Sequence, residues 1–381
     1  MADTLPTSLS TALGMELSPS SKGFVLVLST DISFGAVSCG GYIACLMTKD
    51  AINYASKHEN LLLRSQTDVR TSLVRFYRPI IENKPVEMQL REMSLGKAWS
   101  TLHVETFQFE KVAASAVIWL TNFKLPGISL QTGWQLTATR PVDLRMLEMD
   151  NDPEWTSYQT AFHRNGFRHA HSYVRTFIPK SWPQIKFTEQ WILPGWDCLP
   201  KGSCVAQKGQ DKARWTTEMI QFAIDINFPV QENFFPQEDR LLMGNIAATL
   251  KFAEAQMKAR AEGKPNWREL ELDGSMKPIT QSVNVTLSMS TEIKRNLPPQ
   301  GVRRLYLRTE AKNIISGRMD LEILLCDENM NLIAISQHVA QIIPSAQKQE
   351  KSRKGAICNQ TDNIILYDRP FIVLNGASSR N

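Results

Sequence analysis

Apolar and polar positions alternate with different periods along the chain. The stretch from Phe34 to His58, FGAVSCGGYIACLMTKDAINYASKH, is apolar on nearly every side for three turns. A surface helix carries one apolar stripe and one polar face. This run therefore predicts a helix that needs cover all round, opening at the tandem glycine Gly40-Gly41. A curved antiparallel sheet wrapped around one helix supplies that cover. The glycines let another backbone come close, and free N–H groups at the helix start can meet an anion or a polarised carbonyl.

The next runs change period. RTSLVRFYRPI reads as a strand closed by Pro79, and VEMQLREM alternates strictly, with Val86, Met88 and Leu90 on one side. That is the pattern of a half-buried strand. LGKAWSTLHVETFQFEKVAASAVIWLTNF then reads as two long strands joined at a Glu110-Lys111 turn. Residues 126–170 carry Pro, Gly and Asp punctuation and read as a connector. Residues 1–22 are rich in Ser, Thr and Pro and read as a flexible arm.

The first grammar returns later. A helical run, RWTTEMIQFAIDINFPV, precedes VTLSMSTEIKRNLP and then LYLRTEAKNIISGRMDLEILLCDENMNLIAISQHV. Each copy has a strand, a Gly-Lys or Gly-Arg step (Gly96-Lys97, Gly317-Arg318), a long strand, an acidic turn and an apolar strand. This is an internal repeat of roughly 150 residues. It divides the chain into an arm (1–22), a first copy (23–125), a connector (126–170), a longer second copy (171–345) and a tail (346–381). Leu242, Ile246, Leu250 and Ala253 recur at helical spacing, so the second copy carries a helical insertion over 238–270.

Composition bounds the function. The 381 residues are 43% hydrophobic, enough for a sizeable core, and 43 basic against 38 acidic side chains leave a net charge of +5. That balance does not point to nucleic acid as a partner. Six scattered cysteines without a CxxC pair read as free thiols in a reducing compartment. FVLVL is too short for a membrane span or a signal core, so the expected location is cytoplasmic. The terminal Ser379-Arg380-Asn381 differs from the peroxisomal tripeptide at its last residue. Asn284-Val285-Thr286 and Asn359-Gln360-Thr361 are then not expected to carry sugars. The basic run KQEKSRKG reads as a solvated loop.

The motifs, taken in order, carry a resemblance. FGAVSCGGYIACLMTKDA with its meander, and then the helix with Asp before Phe-Pro, TLSMSTEIKRNLP, the Gly-Arg strand and DENMNLIAIS, resemble the double-hotdog acyl-CoA thioesterase-like superfamily. The likeness is to a fungal thioesterase-like branch and to bacterial acyl-CoA thioesterase II, over roughly residues 24–125 and 172–345. The resemblance implies an α+β fold, a double hotdog of two curved antiparallel sheets each wrapping a central helix and pairing through edge strands. It implies hydrolysis of an acyl-CoA or acyl-carrier thioester without a cofactor. Water would be held by Asp, Thr and Gln in the second copy.

Carried over residue by residue, the Asp falls on Asp225 and the Thr on Thr286. The Gln column falls on His338, while a glutamine stands one residue earlier at Gln337. Strand neighbours face opposite sides, so one of the two enters the site, and Gln337 could enter only through a local bulge. Gly40, Gly41 and Tyr42 are the expected substrate-binding residues. The altered column leaves two alternatives open: a non-hydrolytic double hotdog (dehydratase, isomerase or cyclase on a polyketide-type substrate), or an acyl-binding module. Whether the chain forms a homo-oligomer stays open. His163, His169 and His171 in HRNGFRHAH resemble a chelating set, but Arg164 and Arg168 among them would repel a cation, and no metal is expected. An anion such as a CoA phosphate would suit those arginines. GxSxG, HExxH and a nucleotide-binding glycine loop are absent from the sequence.

Overall fold

The computed structural model describes residues 9–14, 18–19, 24–160, 168–181, 186–195, 212–235, 246–264, 267–268 and 282–344. Contacts divide the chain into a unit Met1–Ile343 and a short one, Pro344–Asn381; the expected tail (346–381), His163, Arg164 and Leu242 lie outside the described residues.

The first half begins with α1 (Leu9–Gly14), β1 (Ser18–Pro19), β2 (Phe24–Val27) and a small hairpin, β3 (Ser33–Phe34) with β4 (Val37–Ser38). Helix α2 (Gly40–Lys57) and a single turn, α3 (Leu61–Arg64), follow. Then come β5 (Asp68–Phe76), β6 (Pro85–Ser94), β7 (Trp99–Gln108) and β8 (Lys111–Thr121). Next are α4 (Leu144–Glu148), β9 (Trp155–Gln159), β10 (Val174–Pro179), β11 (Phe187–Pro194), α5 (Ile220–Asp225) and α6 (Ile246–Ala261). The second meander is β12 (Ser282–Ile293), β13 (Leu305–Glu310), β14 (Ile314–Ile315), β15 (Arg318–Cys326) and β16 (Leu332–Pro344).

The repeat is visible in the sheet order. One half runs β2-β6-β7-β8-β5 and the other β12-β16-β15-β13-β11, so the second is the first reversed. They meet at β5 and β12, which pair antiparallel from Ser288 opposite Arg75 to Glu292 opposite Thr71. The two wrapped sheets thus join into one. Tight turns set the register within the meanders. Phe109 and Glu110 both take positive φ (53° and 58°) between β7 and β8, as a two-residue hairpin turn requires.

Helix α2 is covered as its pattern demands. Every side chain from Tyr42 to Thr48 is buried, among a core that includes Val74, Leu102, Val104, Ile118 and Leu120. Its counterpart α5 is only one and a half turns long, because Ile226 leaves helical geometry (φ −87°, ψ 61°) just before Asn227, Phe228 and Pro229.

Two expectations are corrected. The segment read as a flexible arm contains α1, whose Leu9, Ala12 and Leu13 are buried in the main core. Ser and Thr dominate its composition, yet three apolar residues at helical spacing suffice to dock a six-residue helix. The segment read as a connector is built into the second half. Its β9 extends the sheet beside β10. Leu136, Leu147 and Trp155 pack with Phe177, Trp191 and Tyr306 on a second core. The buried Glu189 anchors it, accepting from the Thr139 N–H (3.1 Å) and the Tyr306 hydroxyl (2.5 Å). The expected insertion helix is α6. It covers the edge of β9, where the Gln256 amide accepts from the Gln159 N–H (3.2 Å) and donates to the Gln159 carbonyl (2.8 Å).

Candidate active site

Helices α2 and α5 cross at their glycine-rich and acidic ends. A Cβ on Gly41 would lie 2.6 Å from the Asp225 Cβ, 2.7 Å from the Gln221 carbonyl oxygen and 2.9 Å from the Phe222 Cα. No side chain fits there, which is why the sequence needs glycine at the start of a buried helix. The close approach brings the half-buried Asp225, last residue of α5, onto the N-terminus of α2. Its Oδ2 accepts from the Gly41 N–H (2.7 Å) and from the Cys39 thiol (3.3 Å). A carboxylate is favoured there by the free N–H groups and the helix dipole. Cys39, wholly enclosed, has its thiol pushed well above the ordinary value by burial and by the Asp225 charge.

His338 comes from β16 and is 2% exposed. Burial holds its imidazole below the ordinary 6.5, opposed by attraction to Asp225. The ring is therefore neutral near pH 7, in the electrostatic reach of the carboxylate. Its Nε2 lies 3.1 Å from the Ser336 hydroxyl.

The register decides the question left open at this strand. Residues 334, 336, 338 and 340 face inward while Gln337 and Val339 are exposed. Gln337 pairs opposite Glu322 and His338 opposite Leu321, and the one irregularity in this ladder lies at Leu325/Cys326. No bulge shifts the strand at Gln337, so this residue sits on the outer face and not beside Asp225. The structure also places the other expected residues. Thr286 is half-buried on β12, while the hydroxyl that joins the buried polar residues is that of Thr291. They stand five positions apart, an odd offset that puts them on opposite faces of a regular strand. Tyr42 turns into the core, with its hydroxyl 3.5 Å from the Ala12 carbonyl under α1. Gly40 stays beside the site: a Cβ there would lie 3.2 Å from the Phe76 ring and 3.4 Å from Asp225 Oδ2.

Sequence reasoning missed Cys39, Gln221, Thr291 and Ser336. Two signals were present. Gln221 is a polar residue four before Asp225 in an otherwise apolar helix, and Thr291 and Ser336 share strand parity with the core residues Met289 and Ala334. Two of the three histidines of the cluster are among the described residues. His169 Nδ1 lies 3.3 Å from Ser33 Oγ, and His171 packs edge-on against Phe34. Burial and the Arg168 charge push His171 down to about 3. Among the described residues no group of three or more His, Cys, Asp or Glu could hold a metal, and no helix is long and apolar enough to cross a membrane.

The paired halves, each around a buried helix, define a double-hotdog protein. Solved structures agree. A hot dog fold protein from Alicyclobacillus acidocaldarius superposes with a TM-score of 0.55 at 11% identity, covering 88% of this chain and 97% of its own. An acyl-CoA thioesterase II from Mycobacterium marinum gives 0.50 at 14% identity, covering 89% and 100%. Within that class, residues 207–342 match the family of the acyl-CoA thioesterase C-terminal domain. A thioesterase-like protein from Talaromyces wortmannii, TwmA, is 23% identical over 358 residues, 86% of this chain and 90% of TwmA. The chain resembles the acyl-CoA thioesterase-like double hotdogs.

Proposed function

We propose that the chain hydrolyses an acyl thioester, presented on coenzyme A or an acyl carrier, with Asp225 at the centre of the site. The observation that carries this reading is the Asp225 carboxylate held on the N-terminus of α2 by Gly41 and Cys39. Asp225 is half-buried, so water can reach it. In the reaction a water oxygen attacks the thioester carbonyl and its proton passes to a base. The C–S bond breaks, and the thiol leaves with a proton. Asp225 would orient the water and accept its proton, with His338 standing where the resemblance places an amide. The Gly41 N–H is engaged by Asp225, so it positions the base rather than the oxyanion.

One observation favours a second reading. A neutral buried imidazole near a carboxylate is an acid–base pair suited to moving protons on carbon as well as to activating water. A non-hydrolytic double hotdog acting as a dehydratase, isomerase or cyclase is the alternative.

Thiol release from acyl-CoAs of graded chain length tests the first reading. Asp225→Asn keeps size and can still accept from Gly41, so turnover should fall on the order of 10²–10⁴-fold with folding intact. His338→Gln restores an amide and should keep or raise hydrolysis. If the native chain releases no thiol from any acyl-CoA or acyl-carrier substrate, hydrolysis is abandoned in favour of the second reading.

A further inference from the structure

Beyond the Asp225–Gly41 contact, five buried side chains form one line of hydrogen bonds. Ser72 on β5, Gln221 on α5, Thr291 on β12, and Ser336 and His338 on β16 are each at most 2% exposed. Gln221 Nε2 donates to Ser72 Oγ (2.7 Å), and Thr291 Oγ1 donates to Gln221 Oε1 (3.0 Å). The Thr291 and Ser336 hydroxyls are 2.8 Å apart, and His338 Nε2 lies 3.1 Å from Ser336 Oγ.

Each hydroxyl owns one hydrogen. Thr291 directs its hydrogen to Gln221, so the contact between Thr291 and Ser336 needs the hydrogen of Ser336. The Ser290 carbonyl, 3.3 Å from Ser336 Oγ, is a longer second acceptor for that same hydrogen. Ser336 is then left with a lone pair toward His338, and His338 Nε2 must bring the proton. A neutral imidazole has a single N–H, so Nδ1 keeps the lone pair. The opposite tautomer would set two lone pairs against each other between side chains at most 2% exposed, and buried polar groups left unmatched are costly.

We propose that Gln221, Thr291 and Ser336 are positioning residues that fix His338 as the Nε2–H tautomer, with the Gln221 amide setting the direction of the line and Ser72 of the first half accepting at its end. Nδ1 is thereby the basic nitrogen of the site. The proposal rests on reading His338 as part of the site, and it deepens that reading by naming the ring nitrogen that keeps its lone pair. It also gives the strand seam a chemical role, because the line that reaches the ring in one half ends on a hydroxyl of the other.

The test is ¹⁵N NMR of the full chain labelled at histidine, near neutral pH and without substrate. The chain has six histidines, and the His338 signals are identified by their loss in His338→Gln. The expected result is Nε2 with the shift of a protonated ring nitrogen and Nδ1 with that of an unprotonated one. Thr291→Val keeps shape and removes the hydroxyl, and Ser336→Ala removes the acceptor. In both, the single-tautomer signature should give way to averaged or reversed shifts, with circular dichroism and melting reporting folding. An Nδ1–H tautomer in the native chain overturns the proposal, whatever the variants do. So does an unchanged signature in both variants while they stay folded. The proton position is read without turnover. A chain inactive on every thioester can therefore still show it, and an active chain can fail it.

Discussion

Asp225 ends its own helix and caps another, and this double position made it legible. A carboxylate between Ile224 and Ile226 needs a partner, and the tandem glycine 185 residues earlier offered free N–H groups. The sequence did not show that the partner would be Gly41 itself, nor which of Gln337 and His338 turns inward. Strand parity decides the second point, and parity depends on a register that only the paired strand supplies. Asp50, by contrast, escaped notice. It sits on α2 at 3% exposure, and its Oδ2 lacks a hydrogen-bond partner among the described residues. Burial pushes its carboxyl from the ordinary 3.8 up to about 6. The folded chain therefore holds this proton more tightly than the unfolded one. Its contribution is most favourable below about pH 4 and is lost as pH rises through about 6. Asp50→Asn removes that dependence. In denaturant titrations the stability of the variant relative to the native chain should rise by on the order of 2–3 kcal/mol between pH 4 and pH 7. A difference that stays constant with pH would mean Asp50 is solvated.

At the level of elements, long periodic runs were read well and short or irregular ones were not. The all-round apolar pattern gave α2, and strict alternation gave β6. The arm and the connector were misread for one reason: Ser, Pro and Asp describe local backbone, while docking depends on a few apolar residues such as Leu9, Leu13 and Trp155. The crossing of α2 and α5 could not be read at all, since nothing local says which backbone a glycine will meet. It makes a sharp prediction. In an ordinary helix, glycine to alanine gains about 1 kcal/mol. At Gly41 the added carbon meets the Gln221 carbonyl and the Phe222 Cα, neither of which can rotate away. Gly41→Ala should therefore lower stability by about 1–3 kcal/mol, and it should also displace Asp225. Gly40→Ala, facing the Phe76 ring edge, should be milder. A Gly41→Ala chain that melts with the native one would rule out the close crossing.

At the scale of the molecule, the repeat was legible as an order of weak motifs, and it reappears as a sheet order reversed about the β5–β12 seam. Unpaired edges of this length are a hazard that pairing removes. Residues 1–135 and 136–381 expressed apart should therefore be unstable or aggregate, and co-expression should recover them. Two halves each soluble, monomeric and cooperatively melting alone would contradict this.

The seam has a consequence for how the chain can vary. Cys45 stands four residues after Gly41, as Asp225 stands four after Gln221. Its thiol meets the backbone of Phe222 and Gln221 much as the carboxylate meets that of Gly41. In an assembly of two identical subunits, one substitution is inherited at both mirrored places. Here both places are encoded separately in a single reading frame. One could keep an acid while the other became a buried thiol, and one helix could shrink to six residues while the other kept eighteen. Fusion of the copies thus turns a symmetric interface into a division of labour.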